Sequence, residues 1–260
     1  HQAALGSVPR SIKDPVTTNS VNIDGFLNML TAARDEEVKR FIYAASSSTY
    51  GDSKELPKIE ERIGRPLSPY AITKVVNEYF AKVYSELYGM ETIGLRYFNV
   101  FGKRQDPNGA YAAVIPLWVK KLMAHESPVI NGDGTYSRDF TYIDDIVEGV
   151  IRVIDTPAQP NPDWSGKDPD PATSYAPFRV FNIGNNQTVE LLHYIEVLEQ
   201  CLGKKAQMDL MPMQPGDVSA TMADTAELER TVGFRPATTV EDGVAKFVAW
   251  YREFYESSES

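Results

Sequence analysis

The stretch Arg40-Phe-Ile-Tyr-Ala-Ala-Ser46 decides the fold. Its apolar residues follow one another without alternation, which is typical of a strand that is buried on both faces of a sheet. A helical pattern over residues 69–88 and a second apolar run over residues 91–98 come after it. Strand, helix and strand in this order predict a parallel sheet flanked by helices, and therefore an α/β protein.

The helix predicted over residues 69–88 has well-marked ends. Ser68 can cap it, Pro69 suits its first position, and Gly89 is placed to end it. Its apolar residues form one stripe, namely Ile72, Val75, Val76, Tyr79, Phe80, Val83, Tyr84 and Leu87. A similar helical stripe runs over residues 21–34.

Tyr70 and Lys74 lie four residues apart at the start of this helix, and therefore on one face of it. An ammonium group beside a phenol stabilises the phenolate, which makes the tyrosine a usable base. The spacing alone is a weak signal, because it occurs by chance in many helices. Ser46-Ser47-Ser48 strengthens it, since ligands bind at the carboxyl ends of parallel strands, although three serines also suit a plain turn. Together these residues favour a catalytic site.

Further polar candidates follow the later strands. Asn99 comes directly after residues 91–98 and suits either a turn or a ligand contact. Arg138 precedes Asp139, so its guanidinium can form an ion pair with that carboxylate or contact a phosphate. Pro215-Gly-Asp217 predicts a turn, and the Asp217 carboxylate is also suited to accept hydrogen bonds from sugar hydroxyls.

After residue 115 the predicted elements become shorter. The pattern predicts a helix at 115–124, a strand running into a turn over 128–134, a strand at 137–142 and a helix at 143–154. A strand at 178–183 and helices at 189–202 and 243–255 follow. The segment 155–178 contains six prolines, which predict a surface loop.

Composition excludes several classes of protein. The 260 residues carry a formal net charge of −10 with no basic stripe, which argues against nucleic-acid binding and leaves any anionic ligand to local cations. No apolar run approaches the length of a membrane span. A single cysteine, Cys201, fits a reducing compartment and predicts a cytoplasmic protein. His1, His125 and His193 share no metal-ligand spacing, so no metal site is predicted.

Four motifs together resemble the extended short-chain dehydrogenase/reductase family, and within it the nucleotide-sugar 4-epimerases. They are Ser46-Ser-Ser-Thr-Tyr-Gly51, Tyr70-x-x-x-Lys74, Arg96-Tyr-Phe-Asn99 and Arg138-Asp-Phe, in the family's order. Residues 1–11 and 98–114 resemble UDP-N-acetylglucosamine 4-epimerases of polysaccharide pathways, whereas residues from about 140 onward resemble UDP-glucuronate 4-epimerases. The resemblance begins at the family's fourth strand, and the first strand with its glycine-rich turn, which holds the NAD pyrophosphate in the family, has no counterpart in the sequence.

The resemblance implies a Rossmann-like parallel sheet, truncated at its N-terminal side, with a smaller C-terminal α/β subdomain that binds substrate. Residues 1–102 would be the remainder of the NAD-binding domain. Residues 103–260 would mainly form the UDP-sugar subdomain, with 139–150 and 178–185 returning to the Rossmann sheet.

The resemblance also implies roles for single residues. Tyr70, held by Lys74, would be the base, and Ser46, with Ser47 and Ser48 close by, would hydrogen-bond the sugar 4-hydroxyl. The cofactor would be NAD, bound by Gln2, Ala3, Asn22, Tyr70, Lys74 and Tyr97. The UDP-sugar would be bound by Asn99, Ala113, Val114, Arg138, Asp217 and Thr221.

The expected reaction is the interconversion of UDP-N-acetylglucosamine and UDP-N-acetylgalactosamine, because Thr221 stands where a bulky aromatic excludes the N-acetyl group in galactose-type epimerases. Two alternatives remain: a UDP-glucuronate 4-epimerase, and a non-catalytic fragment that cannot hold NAD. Dehydratases of the superfamily carry Asp-Glu where Ser47-Ser48 stand here, which disfavours dehydration. Helices 21–34 and 69–88 resemble those that pair in the family's homodimer.

Overall fold

A computed structural model describes residues 1–108, 113–212 and 218–256 of the chain. Its α-helices are α1 Val8–Lys13, α2 Pro15–Asn19, α3 Gly25–Asp35, α4 Pro69–Tyr88, α5 Val114–Met123, α6 Ile143–Ile154, α7 Leu191–Leu202, α8 Ala226–Val232 and α9 Val240–Tyr251. Its strands are β1 Arg40–Ser46, β2 Glu91–Tyr97, β3 Asn99–Phe101, β4 Val129–Asn131, β5 Ser137–Arg138, β6 Phe140–Tyr142, β7 Phe178–Ile183, β8 Val189–Glu190 and β9 Asp209–Met211.

The largest sheet is parallel, with strand order β1-β2-β7. Ser46 is paired with Tyr97, and Tyr97 with Ile183, so the carboxyl ends of the three strands lie side by side. This arrangement confirms the predicted α/β fold. The strands predicted at 40–46 and 178–183 begin and end at the expected residues, and the strand predicted at 91–98 is one residue shorter.

Helices cover both faces of this sheet. On one face Phe26 and Leu30 of α3 and Tyr84 of α4 pack with Tyr43 and Phe178 of the strands. On the other face α6 and α8 pack on the sheet through a second set of apolar residues, which includes Ile146, Leu228, Ile93, Leu95 and Phe181. The expectation that residues 40–46 are buried on both faces holds only in part, because Phe41, Tyr43 and Ala45 are buried whereas Arg40, Ile42 and Ala44 are half-buried.

Helix α4 buries a different face from the one that its apolar stripe suggests. It begins and ends as predicted, since the Ser68 hydroxyl accepts from the Ala71 N–H and Gly89 adopts the left-handed conformation. However, its polar face packs inward, burying Lys74, Asn77 and Glu78. Much of the apolar stripe is exposed, including Ile72, Tyr79, Val83 and Leu87. The sheet side of this helix therefore carries polar groups at Lys74, Asn77 and Glu78, and only its C-terminal part joins the apolar core, through Ala81 and Tyr84.

The second half of the chain has its own apolar core. Trp118 of α5, Tyr194 of α7 and Phe247 of α9 are almost completely buried in it. Short strand pairs accompany these helices: β3 with β6, β4 with β9, and β5 with β8. Strand β3 begins two residues after β2 ends. Its pairing with β6 positions Asn99 beside Phe140.

Several short elements escaped the sequence patterns, among them α1, α2 and α8. They have six, five and seven residues, which is too short for a helical period to be recognised. Within the ranges given above, no helix is both long and apolar enough to cross a membrane.

Candidate active site

The carboxyl end of β1 leads into a tight turn, residues 46–50, which we call the serine turn. It continues as a 3₁₀ helix, Ser47–Tyr50, that Ser46 caps. The Ser46 Oγ accepts hydrogen bonds from the Ser48 N–H at 3.2 Å and from the Ser48 hydroxyl at 2.9 Å. Ser46 is nearly buried, whereas Ser47 and Ser48 are partly exposed. The turn therefore presents hydroxyl groups at the edge where ligands of parallel sheets bind.

Tyr70 and Lys74 lie on the first turns of α4, beside the serine turn. The Ser46 hydroxyl lies close enough to Tyr70 to affect the pKa of its phenol. The Lys74 Nζ donates to the Ala44 carbonyl at 2.7 Å and lies 5.9 Å from the centre of the Tyr70 ring. The structure thus brings the tyrosine, the lysine and the first serine together, as the sequence predicts.

The electrostatics of this group differ from the expectation that Lys74 lowers the pKa of Tyr70. Burial raises the pKa of the Tyr70 phenol, and the opposing influence is the Ser46 hydroxyl. Burial also lowers the pKa of Lys74 to about 8, while the Glu78 carboxylate acts in the opposite direction. Since the ammonium group is turned toward the Ala44 carbonyl, it is not among the influences that lower the pKa of Tyr70 in this arrangement.

A cleft of about 200 Å³ opens in front of the serine turn. Its lining includes Ser46, Ser47, Ser48, Asn99, Arg138 and Thr221, which are residues predicted as catalytic or substrate-binding. The Thr221 hydroxyl accepts from the Asp139 N–H at 3.0 Å. Residues from both halves of the sequence therefore form one concave site.

The Asp139 carboxylate does not serve as a simple partner for the neighbouring Arg138. It accepts from the backbone N–H groups of Asn185, Asn186 and Ala223 at 2.7–3.1 Å. One Arg138 Nη donates to the carbonyls of Ser137 and Ser219. The carboxylate therefore ties three segments together beneath the cleft, and Arg138 lines the cleft itself.

The residues predicted to contact NAD lie at a neighbouring position on the same edge of the sheet. The N-terminal residues run beside β1, with the His1 amino group bonded to the Ile42 carbonyl and the Ala44 N–H to the His1 carbonyl. Gln2 accepts from the Tyr97 hydroxyl at 3.0 Å, and Ala3 follows it.

Asn22 is buried and bonded within the chain. Its side chain exchanges hydrogen bonds with the backbone of Leu5 and donates to the Thr73 hydroxyl. It therefore holds the N-terminal segment against α4. The predicted contact of Asn22 with NAD stays a prediction.

Two predicted substrate residues lie outside the cleft lining, and a third cannot be placed. Ala113 and Val114 stand at the start of α5 and are not part of the cleft lining as far as the described residues form it. Asp217 lies outside the described residues. Their roles stay predictions.

A buried polar network behind the site was not predicted. Arg96 of β2 is fully buried and forms two hydrogen bonds to the Glu78 carboxylate, at 3.0 and 2.8 Å. It also donates to the Tyr50 hydroxyl and to the Glu60 carbonyl. Tyr50 in turn donates to Asn182 of β7 at 2.6 Å. A usable signal existed in the sequence, because Glu78 lies four residues after Lys74 and Arg96 lies within an apolar strand.

The chain is similar to known proteins in both sequence and structure. The sequence model described as "NAD dependent epimerase/dehydratase family" matches residues 1–184. Protein CapI of Staphylococcus aureus is 44% identical over 255 residues, which cover 98% of this chain and 75% of that protein. A probable UDP-glucuronate 4-epimerase of Rhizobium meliloti is 37% identical and covers 98% of this chain and 74% of its own length.

Solved structures agree with this relationship. A UDP-N-acetylglucosamine 4-epimerase from Methanobrevibacter ruminantium superposes with a TM-score of 0.85 at 32% identity, over 96% of this chain and 75% of that one. A UDP-glucuronic acid 4-epimerase from Bacillus cereus, solved with UDP-glucuronic acid and NAD, gives a TM-score of 0.83 at 28% identity, over 97% and 74%. The chain belongs to the NAD dependent epimerase/dehydratase family, among the relatives of UDP-sugar 4-epimerases.

Proposed function

We propose that this protein is a NAD-dependent epimerase that interconverts UDP-N-acetylglucosamine and UDP-N-acetylgalactosamine for the synthesis of surface polysaccharide. The observation that carries the proposal is the cleft, in which the serine turn faces Asn99, Arg138 and Thr221. It combines hydroxyl groups near a tyrosine with a guanidinium suited to a diphosphate. The single cysteine supports a reducing, cytoplasmic location for this activity.

The chain's own residues would perform the proton chemistry. Tyr70 would accept the proton of the sugar 4-hydroxyl, and Ser46, which lies beside it, would orient that hydroxyl and relay the proton. Because burial raises the pKa of Tyr70, deprotonation requires positive charge nearby. Lys74 would supply it once its ammonium turns from Ala44 toward the phenol.

The residues present fit one end of an NAD molecule. The Lys74 ammonium is buried and donates to one carbonyl, so its remaining N–H groups suit ribose hydroxyls. Tyr97 and Gln2 extend the same edge of the sheet. The sequence contains no Gly-x-x-Gly-x-x-Gly loop, so these residues account for the nicotinamide-ribose end only. The chemistry that NAD supplies when bound is the reversible removal of a hydride from the sugar.

We assign the two parts of the chain to the two ligands. Residues 1–102 would form the cofactor side, with 139–150 and 178–185 joining it. Residues 103–260 would otherwise form the sugar side. Two observations support this division: β7 is paired with β2, and the second half has a core of its own.

The choice of the N-acetylated sugar rests on Thr221. This small residue is half-buried at the wall of the cleft and leaves room beside Asn99, where a large aromatic would fill it. The competing substrate is UDP-glucuronate, which the likeness of the second half to UDP-glucuronate 4-epimerases favours.

The experiment has two stages. Equilibrium binding of NAD to the chain is measured first, and absence of binding would favour the non-catalytic alternative. Each UDP-sugar is then incubated with the NAD-loaded protein, and the C4 epimers are separated by chromatography. We expect UDP-N-acetylglucosamine to be converted, and Tyr70→Phe to lower turnover at least about a hundredfold. Turnover of UDP-glucuronate alone would refute the substrate assignment.

We further propose that the protein is a homodimer formed through α3 and α4. Both helices expose apolar residues, among them Met29, Tyr79 and Leu87, of which Leu87 is 68% exposed. Light scattering tests the interface. Leu87→Glu should yield monomers, whereas Ile151→Glu, at an equally apolar exposed position on α6, should not.

A further inference from the structure

Lys58 occupies an unusual position on the wall of the cleft. It lies in the segment that follows the serine turn, lines the cleft together with Tyr50 and Ser53, and is 7% exposed. Its backbone is fixed, because its N–H donates to the Met222 carbonyl at 2.7 Å and its carbonyl accepts from Asp224 and Asn182. The side chain therefore starts from a well-defined point in the site.

The Lys58 ammonium has fewer partners than its burial requires. It donates to the Ser53 carbonyl at 2.6 Å, and no carboxylate of the described residues forms an ion pair with it. An ammonium group carries three donors, and burying a charge without compensation is unfavourable. Burial accordingly lowers the pKa of Lys58, with the more distant Glu55 acting in the opposite direction. A ligand oxygen at this position would supply the missing acceptor.

The charged residues of the cleft indicate which kind of ligand oxygen would bind there. Among the described residues that line it, the charged ones are Lys58 and Arg138, and both are cations. The remaining polar residues of the lining are uncharged, namely five serines with Tyr50, Asn99 and Thr221. Two cations in one small cleft stand out in a chain with a net charge of −10. Local cations of this kind suit an anionic ligand that the overall field would repel.

We propose that the Lys58 ammonium donates a hydrogen bond to an anionic oxygen of the bound nucleotide sugar and shares the recognition of its negative charge with Arg138. The oxygen belongs either to the diphosphate or to a carboxylate on the sugar, since both present the same chemistry to an ammonium group. This inference rests on the proposed function in one respect, namely that the ligand is a nucleotide sugar.

The test measures binding by isothermal titration calorimetry on the full chain, so it does not require turnover. The ligands are UDP, UDP-glucose and UDP-glucuronate. The variants are Lys58→Met, Lys58→Arg and Lys121→Met. Lys121 is the matched control, because its Nζ also donates to a backbone carbonyl, that of Ser127, away from the cleft.

We expect Lys58→Met to weaken binding by about tenfold to a hundredfold, the effect of one hydrogen bond to a charged group. Lys58→Arg should retain most of the affinity, and Lys121→Met all of it. If UDP itself loses affinity, the oxygen belongs to the diphosphate. If UDP and UDP-glucose are unaffected and only UDP-glucuronate loses affinity, it belongs to a sugar carboxylate.

Two results would overturn the proposal. One is wild-type affinity of the folded Lys58→Met variant for all three ligands, which would leave Lys58 a merely structural tie to Ser53. The other is that the wild-type chain binds none of them. Failure of the proposed function looks different, because nucleotide would bind and depend on Lys58 while no C4 epimer is formed. Circular dichroism and thermal unfolding verify that each variant is folded.

Discussion

An arginine–glutamate ion pair lies at each end of the strand pair β1–β2, and the two ion pairs differ in how far they are buried. At the amino end, Arg40 and Glu91 are direct neighbours in the strand register, with Nε and Oε1 2.5 Å apart and side chains 21% and 16% exposed. At the carboxyl end, Arg96 reaches Glu78 of α4, and these side chains are 0% and 5% exposed. The amino-end pair is partly hydrated, whereas the carboxyl-end pair is fully enclosed.

The two pairs also differ in what they connect. Arg40 and Glu91 contact their neighbours on the same edge, including the Ile154 carbonyl and the Ala158 N–H. Arg96 joins α4, the serine turn through Tyr50, and the Glu60 backbone in one network. Because buried charges add little net stability unless every partner is present, such a network is better explained by the geometry it imposes. It fixes α4, which carries Tyr70 and Lys74, relative to Ser46.

Removing the arginine of each pair should give the largest contrast. Arg96→Met leaves the Glu78 carboxylate buried and unpaired, so we expect the free energy of unfolding to fall by about 3–5 kcal/mol. Arg40→Met leaves Glu91 partly hydrated and should cost about 1 kcal/mol or less. Urea denaturation followed by circular dichroism measures both.

The double variant Arg96→Met/Glu78→Gln serves as the control for charge. It should recover part of the loss, because no uncompensated carboxylate remains in the interior. Equal losses for Arg96→Met and Arg40→Met would show that burial of the carboxyl-end pair has no energetic significance.

The second contrast is between two lysines, the buried Lys74 at the carboxyl end of the strand pair and the exposed Lys39 at its amino end. Burial lowers the pKa of Lys74 to about 8, from the usual lysine value of 10.5. Between these two pH values the folded protein binds fewer protons than the unfolded chain, so the free energy of unfolding should rise with pH in this window. The rise amounts to at most about 3 kcal/mol, and below pH 8 the cost of the buried charge is fully present.

Stability measured from pH 7 to 10.5 in wild type, Lys74→Met and Lys39→Met checks this sign. The rise should be much smaller in Lys74→Met, in which Lys58 still contributes a part, and should persist in full in Lys39→Met, since Lys39 is exposed just before β1. A rise of the same size in Lys74→Met would assign the pH dependence to other groups.

The sequence predicted the strands and the helix that form the carboxyl end of the sheet, but not which side chains are buried between them. Apolar runs and helix caps located β1, β2, β7 and α4 to within one residue, because these signals are local. The serine turn, Tyr70 and Lys74 were placed together because parallel strands end at a common edge. Which face of α4 is buried could not be predicted in this way. Lys74, Asn77 and Glu78 point inward because Arg96, which lies in a strand 18 residues after Glu78, supplies a partner for the carboxylate there.

The same limit applies to Lys58 and Asp139. Each is bonded to segments far away in the sequence, such as Ala223 with Asp139 and Asp224 with Lys58. No periodicity or short motif encodes contacts of that range. Such contacts around the cleft can be identified only from the folded structure.

The smallest contrast uses two buried threonines. The Thr49 hydroxyl donates to the Ser46 carbonyl at 2.5 Å and to the Glu78 carboxylate at 3.3 Å. At the amino end of β2, Thr92 is equally buried and bonds with the Ser85 hydroxyl and the Ala81 carbonyl. Thr49→Val and Thr92→Val should each lower the free energy of unfolding by about 1–2 kcal/mol, because each removes hydrogen bonds of a buried hydroxyl group.

Turnover should separate these two threonines although stability does not. Thr49 fixes the carbonyl of the residue whose hydroxyl meets Tyr70, so its loss should lower kcat of the NAD-loaded protein by about tenfold with little change in KM. Thr92 lies near the amino end of β2, at the edge of the sheet opposite the serine turn, and its valine variant should keep the wild-type kcat. If both variants lost kcat in proportion to stability, the carboxyl-end network would be a support for the fold alone. A loss confined to Thr49→Val would instead show that the network sets the position of Ser46.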